Sequence, residues 1–411
     1  HPSTLIFTSN GYKKVSEIHA GTRVLSSNGK FNEVRCVLEK NSDKTFYKIH
    51  AKYQAIPNIV TEDHEILVWD DHSIWWKKAK DIQPTDMLLI PKITGRTRAI
   101  SRVNKNINDL LEISDIWRLI GYWLAEGAYS ASGNEVRLVF GEHELNFIED
   151  CRRIISRYLT KSIQVRKNSK GAKIIVFAHK DFKEILNKFG TKSYTKHLPP
   201  FALNTFDMFQ RELIVGYFRG DGCLVENAVC FSSTSYSLLA GIQLILANWN
   251  IASGISQSRK AGRGIIVGVK CKIRAAFNLT TTSNELRALL GFSYSIQTKP
   301  SRSFFTDKFW VVPIKKIRKL RRADTVFDIE VMNVHDFYMP GMIAHNCIIC
   351  DDLNSPNNSQ TKEGREKVIQ HYRYLTSILE PQGTLVVVGT RYSADDCIGT
   401  IMRNEIGLLG G

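Results

Sequence analysis

Three short stretches of the sequence hold residues whose types and order suit chemistry. The first is His345-Asn346-Cys347. An asparagine side-chain amide can attack its own backbone carbonyl, closing a succinimide and releasing the downstream amine. That amine needs a proton, and an imidazole titrating near neutral pH suits the role. A thiol just downstream can accept an acyl group before the bond breaks, because its thiolate is a good nucleophile. The second stretch occurs twice. Gly121-Tyr122-Trp123-Leu124-Ala125-Glu126-Gly127 returns as Gly216-Tyr217-Phe218-Arg219-Gly220-Asp221-Gly222, which sets the acids Glu126 and Asp221 95 residues apart. Each copy closes an apolar run of helical period, and the two glycines without side chains let two such helices approach closely. Glu126 and Asp221 then lie together, and paired carboxylates repel unless protonated or bridged by a cation. Hard oxygen donors favour Mg²⁺, which activates water and stabilises the leaving oxygen of a phosphodiester. The third stretch is Ile348-Ile349-Cys350-Asp351-Asp352, an apolar run closed by two carboxylates, like the metal-binding end of a buried strand.

The elements that must position these groups follow from the surrounding pattern. Residues 1–95 read as short strands, since "TLIFTSNGYKKV", "TRVLSSNGKFNEV" and "NIVTEDHEILVW" alternate apolar and polar residues around Asn-Gly turns. Pro84, Pro91 and Gly95 punctuate the exit, and "TGRTRAISRVNKN" reads as a linker. Residues 96–309 read as an α/β domain of two repeats, about 113–200 and 205–300, in which "EVRLVFGEHELNFIEDCRRIISRYL" answers "AVCFSSTSYSLLAGIQLILANWN". Residues 310–346 return to strand alternation. The α/β domain is therefore expected to sit inside a β domain whose halves flank it, and to bulge out as an autonomous lobe. Residues 347–411 change character again: "CIICDD" and "GTLVVVGTR" are continuous apolar strands around a helical stretch near 362–379, the pattern of a buried parallel sheet.

A chain of 411 residues exceeds one ordinary core, so two or three domains are expected. No apolar run approaches the roughly 18 residues that cross a bilayer, and no membrane partner is expected. The eight cysteines are scattered, and Cys347-x-x-Cys350 has no second pair to complete a zinc site. Free thiols in a reducing cytoplasm are expected. The net charge of +16 is uneven: residues 151–200 hold 13 Lys/Arg against 2 Asp/Glu, and residues 251–322 hold 16 against 2, whereas 347–411 hold 6 against 8. Such concentration reads as a surface for a polyanion, DNA or RNA backbone, with a merely solvated face as the plain alternative.

Several blocks resemble an intein, the self-excising element of the Hint fold. "TLIFTSNGYKKVSEIHAGTRVLS" is similar to the family's first block, "VTEDHEILV" supplies its T-x-x-H, and "VFDIEVMNVHDFYMPGMIAHNC" is similar to its C-terminal pair. The resemblance implies that Thr61 and His64 polarise the upstream scissile peptide, that Asp328 assists the nucleophile and proton transfers, and that His335 assists cyclisation of Asn346. It implies no cofactor for splicing. It also implies a Cys or Ser nucleophile ahead of His1, so the chain is expected to start just inside the element and to lack the first acyl shift.

The doubled G-Y-[WF]-x-x-[ED]-G is similar to the paired motifs of LAGLIDADG homing endonucleases. This implies a monomeric, Mg²⁺-dependent enzyme cutting double-stranded DNA at the uninterrupted host-gene site. "KHLPPFA" resembles that family's K-x-[IL]-P block and makes Lys196 a candidate for stabilising charge or perturbing a water; Lys299 in "QTKPSR" is its counterpart. Residues 347–411 look like part of a phage terminase large subunit, with Asp351 meeting Mg²⁺ and Asp352 orienting the attacking water for ATP hydrolysis. The missing upstream part of that terminase would be the splicing partner, in a bacterial host's cytoplasm. The implied fold is multidomain: an all-β Hint domain (1–95 and 310–346) split by an α/β LAGLIDADG domain (96–309) of αββαββα pseudo-twofold repeats, then a fragment of a RecA-like α/β ATPase (347–411). Two other readings stay open, a splicing element whose middle domain binds DNA without cutting, and a terminase ATPase with an inert insertion.

Overall fold

The computed structural model describes residues 1–70, 73–95, 105–130, 133, 135–169, 171–266, 269–293, 296, 301–321, 324–345, 348–351, 353–377 and 385–404. Strands from either side of the insertion, residues 5–91 and 304–345, pair in two antiparallel sheets. In the first, the order is Gly11–Lys14, Leu5–Thr8, Arg23–Leu25, Phe31–Ser42 and Asp324–Val331. The last of these comes from the far side of the insertion and runs beside Phe31–Ser42 from Asp324 opposite Ser42 to Val331 opposite Val34. The second sheet runs Asp336–Met339, Met342–His345, Glu65–Asp70, Met87–Pro91, Phe309–Arg321, Thr45–Ala51 and Asn58–Thr61, with Ser73–Lys78 and Phe304–Phe305 paired at its flanks. The long strand Phe309–Arg321 thus ties Met87–Pro91 to Thr45–Ala51. Met87–Pro91, Asp336–Met339 and Met342–His345 are buried along their whole length. They carry continuous rather than alternating apolar residues for that reason.

The insertion is built twice on one plan. Helix Ser114–Glu126 leads into a four-stranded sheet in which the strands, numbered along the chain, lie side by side as first, second, fourth, third, with helix Leu145–Tyr158 between the second and third strands in sequence. Helix Asp207–Asp221 leads into a sheet of the same order, with helix Tyr236–Asn248 in the same place. The second copy adds a hairpin, Gly262–Ile266 with Val269–Ile273. The leading helices cross at their glycines. A Cβ on Gly121 would stand 2.2 Å from the Leu213 carbonyl oxygen, and one on Gly216 would stand 2.1 Å from that of Arg118. Around the crossing, Arg118 pairs with Asp115, Asp150 and Glu212, and Arg219 with Asp150. Both backbones are in contact there, so Gly216→Ala must push the helices apart. The expected loss is about 1–3 kcal/mol, read as a lower midpoint of thermal unfolding.

The insertion does not stand off as an autonomous lobe. Helix Tyr236–Asn248 is apolar on every side, and Leu238 to Ala247 are all buried. A helix of that kind needs cover all round; its own sheet supplies part and the β domain the rest. Tyr236 stacks on Tyr12 with ring centroids 5.1 Å apart, and the Tyr12 N–H donates to Ser237 Oγ at 2.8 Å. Tyr236 Oη donates to Gln54 Oε1, and Gln54 Nε2 donates to Gln243 Oε1, each at 2.8 Å. Gln243 Nε2 in turn donates to the Ser253 carbonyl at 2.7 Å. Every buried amide in this chain of bonds is satisfied, the condition under which a buried polar network is retained.

Downstream, Ile348–Asp351 and Leu385–Val388 pair in parallel, with Asp351 opposite Val388, and helix Lys362–Ser377 lies between them in sequence.

Candidate functional site

Strand Asn58–Thr61 ends in a tight turn, closed by the His64 N–H donating to the Thr61 carbonyl at 3.1 Å and pinned by the Ala79 N–H donating to the His64 carbonyl at 2.9 Å. The turn sets Thr61 and His64 over a cavity of about 160 Å³ whose walls also include Asp63, Phe337, Asp328 and His1. Asp328 arrives on strand Asp324–Val331 from beyond the insertion. The N-terminal amine donates to the Ile59 carbonyl at 3.4 Å, and His1 Nε2 lies 3.1 Å from Asp324. Position 1 is therefore held by both halves of the β domain. Burial first, then the N-terminal amine, push the His64 imidazole down to about 4, with His345 adding to the shift and Asp63 opposing it. His64 is thus neutral at physiological pH, able to donate with one ring nitrogen and accept with the other.

The other end of the matched blocks lies close by. In the hairpin of Asp336–Met339 and Met342–His345, Asp336 stands opposite His345. His345 is buried, with Trp76 edge-on at 4.8 Å. The Asp336 carboxylate accepts from the Ser27 N–H at 2.7 Å and from Ser27 Oγ, while its carbonyl accepts from Ser26 Oγ at 2.8 Å. Ser27, Trp76, Asp336 and His345 line a common cavity. His335 takes a left-handed backbone, φ +52°, just after Asn333 at +75°. A non-glycine residue there costs on the order of 1 kcal/mol or more. Its Nδ1 is buried without a hydrogen-bond partner among the described residues. Asn346 and Cys347 lie outside the described residues. Asp336 and Trp76 escaped the sequence reading. A carboxylate inside the otherwise apolar "DFYM" was the signal for the first, and nothing local marked the second.

Glu126 and Asp221 are the last residues of the crossed helices. Burial first, then Asp221 and Glu144, push Glu126 up to about 7; burial pushes Asp221 up to about 6, against Lys196. Lys196 is itself buried, and its Nζ donates to the carbonyls of Trp123, Leu124 and Gly127 at 2.8, 3.0 and 2.9 Å. It caps the carbonyl end of the first helix, where a cation is favoured, and burial lowers it to about 8 although both acids pull it up. Gly127 and Gly222 cap these helices with extended, not left-handed, backbone. They are glycine because a Cβ would stand 2.2 Å from the rings of Trp123 and Phe218. Lys299 and Asp352 lie outside the described residues, and of Asp351 only the strand placement is described.

The acid pair fixes a pH response. Both carboxyls hold protons in the fold that the unfolded chain, at 4.5 and 3.8, has already released. The stability they contribute is present below about pH 4 and is lost as pH rises through about 6 to 7. With chelator present, the melting midpoint falls by on the order of a few degrees between pH 5 and pH 8 through this pair. Thermal scans at fixed ionic strength read it, and Glu126→Gln flattens the dependence.

A split β body brings the two ends of a matched segment to one imidazole and carries a helix-paired insertion. The intein splicing domain family matches residues 5–346, and the chain belongs to that family. Among curated proteins it is similar to the ATP-dependent DNA helicase Hel308 of Thermococcus kodakarensis, 23% identical over 409 residues, covering 84% of this chain and 36% of the helicase. It is similar also to an iron-sulfur cluster assembly SufBD family protein of Mycobacterium tuberculosis (23% over 380 residues, 84% and 42%). A third relative is an uncharacterized protein of Methanocaldococcus jannaschii (26% over 375 residues, 82% and 41%). The chain spans about two fifths of the length of these relatives. Among solved structures, mesophilic variants of the homing endonuclease I-DmoI match at TM-score 0.33 and 14% identity, over 46% of this chain and 99% of theirs. The N-terminal LAGLIDADG domain of DUF199/WhiA matches at 0.28 and 12%, over 47% and 96%.

Proposed function

We propose that the chain is a self-splicing element carrying its own DNA-cleaving domain. At the downstream junction, Asn346 Nδ2 attacks the Asn346 carbonyl carbon. The bond to the Cys347 nitrogen breaks, a succinimide remains, and the departing amine takes a proton from His345. His335, whose buried Nδ1 lacks a partner among the described residues, assists that cyclisation. Before it, the Cys347 thiolate accepts the acyl group from upstream. Thr61 and His64 polarise the peptide bond that precedes position 1 in a longer chain, and Asp328 serves the transfers between the ends. The observation that carries this reading is geometric: strand Met342–His345 pairs with Glu65–Asp70, Ala344 opposite Ile66, beside the turn that sets Thr61 and His64 over the cavity shared with His1 and Asp328.

The insertion is proposed to cut both strands of duplex DNA, as a monomer, at the uninterrupted copy of the gene that the element occupies. Glu126 and Asp221 would hold Mg²⁺. The fit is chemical: two buried hard-oxygen donors whose raised pKa values reflect unrelieved burial and repulsion, which a divalent cation offsets. Among the described residues, no group of three or more His, Cys, Asp or Glu could hold a metal. Water and phosphate oxygens would supply the remaining positions, as Mg²⁺ prefers. When bound, the ion activates water and neutralises the leaving oxygen. Lys196 is a positioning residue: by capping the helix that ends in Glu126, it fixes that carboxylate relative to Asp221. The basic strands after each helix grip the backbone.

Residues 347–411 are proposed to belong to the ATPase of a phage terminase large subunit, with Asp351 meeting Mg²⁺, Asp352 aligning water, and the rest of that enzyme as the upstream splicing partner in a bacterial cytoplasm. The parallel pair of Ile348–Asp351 and Leu385–Val388 supports this reading. Two measurements test the whole. Mass spectrometry of the incubated chain should find a fragment starting at Cys347, and a plasmid bearing the uninterrupted gene should be linearised only with Mg²⁺. A chain that stays intact, or a plasmid that stays uncut, overturns the corresponding half.

A further inference from the structure

The sequence's second basic segment, residues 251–322, does not end with the insertion. Its last cations fall on strand Phe309–Arg321, which belongs to the β domain. Lys315, Lys316, Arg318, Lys319 and Arg321 are all exposed, and none makes an ion pair among the described residues. The neighbouring strands Thr45–Ala51 and Asn58–Thr61 contain no acid, and neither does Phe309–Arg321 itself. Arg318 stands directly opposite Lys48 across the ladder, and Lys316 opposite His50. Like charges placed so are destabilising. The field is felt at His50, lowered by burial first, then by Lys315 and Lys48, with its bond to the Gln54 carbonyl opposing. Lysines on an edge strand commonly guard against unwanted pairing. That role does not explain Lys48, because Thr45–Ala51 is paired on both sides.

We infer that this acid-free ribbon of the β domain is a second binding surface for the phosphate backbone of duplex DNA, continuous with the surface of the insertion. Residues 315–321 span about 20 Å of extended strand, which matches about 6 base pairs of duplex. The ribbon starts where the insertion's second sheet starts. The Lys52 N–H donates to the Pro313 carbonyl, and the Ile255 N–H donates to the Tyr53 carbonyl, each at 2.9 Å. Strand Gly254–Arg259 runs on from that point to exposed Arg259, and the hairpin beyond it carries exposed Arg263 and Lys272. A duplex lying across the insertion would thus meet the ribbon at its end. Such contacts add affinity without sequence preference.

This inference rests on the DNA-cleaving reading, and the test separates the two. Affinity of the full chain for a long random-sequence duplex is measured against KCl concentration for the native protein and for Lys316→Gln/Arg318→Gln/Lys319→Gln. These residues are exposed, so release at Asn346 should be unchanged, and the melting midpoint should hold or rise slightly as the cross-strand like charges are removed. The expected slope of log affinity against log salt becomes shallower by about 2 to 3, with about a 10- to 100-fold loss at moderate salt. An unchanged slope alongside normal plasmid cutting overturns the ribbon alone. A shallower slope with no cutting by the native chain supports the ribbon and overturns the nuclease. A native chain without salt-dependent affinity for the duplex overturns both.

Discussion

Asn346→Ala stops release of the polypeptide that begins at Cys347. No other group at that position can attack the Asn346 carbonyl intramolecularly, so the rate should fall by roughly a thousandfold or more. The substitution falls just after the hairpin strand Met342–His345 in sequence and changes none of that hairpin's paired residues. The insertion, whose acid pair lies in a different domain, should cut and bind DNA as before. Mass spectrometry of the incubated variant gives the result directly: persistent appearance of a Cys347 N-terminus would remove Asn346 from the chemistry. His345→Ala makes an instructive contrast. It withdraws only the proton donor, so a slowed but measurable release, down by about 10²- to 10⁴-fold, is expected.

The second large effect belongs to the acids. Glu126→Gln with Asp221→Asn keeps the shapes of both side chains and deletes both charges, so the helix crossing at Gly121 and Gly216 survives while the oxygen donors lose their hold on a divalent cation. Plasmid linearisation should drop below detection, by about a thousandfold or more. Release at Asn346 should proceed at the native rate. Without metal, the variant should melt higher than the native chain near pH 8, because two buried carboxylates no longer have to ionise there. A variant that still cuts would move the metal site elsewhere. One that neither cuts nor releases would show that the pair supports the fold rather than the chemistry.

Much of this arrangement could be read from the residues. The doubled glycine-and-acid pattern forecast two helices in backbone contact with their acids adjacent, and Gly121 against Leu213 and Gly216 against Arg118 realise it. A glycine at a helix crossing leaves a local mark. The alternation of residues 1–95 and 310–346 likewise forecast strands, though not that Phe309–Arg321 would span both Met87–Pro91 and Thr45–Ala51. The sequence was silent where partners lie far apart along the chain. Gln54 meets Tyr236 and Gln243 across about 190 positions, and no period in either segment announces the meeting. The surroundings of Lys196 were hidden in the same way. In "KHLPPFA" it reads as a candidate for stabilising charge or perturbing a water, with nothing local to say that it is buried. Its burial depends on three carbonyls at the end of a helix seventy residues upstream. Gly127 and Gly222 cap the two crossed helices. The cause of glycine there, the crowding rings of Trp123 and Phe218, became visible only in three dimensions.

The seam between the two bodies bears on how such an element can be trimmed. Met87–Pro91 and Phe309–Arg321 already run side by side, Pro91 opposite Phe309, so a short hairpin joining them is geometrically simple. Cutting there would bare the Tyr12 ring, the Tyr53 carbonyl and the Gln54 amide, whose cover is the helix Tyr236–Asn248. A shortened descendant, natural or engineered, has to resurface that patch with hydrophilic side chains or it will self-associate. Removing the insertion is therefore a coordinated change of several surface positions rather than a single deletion.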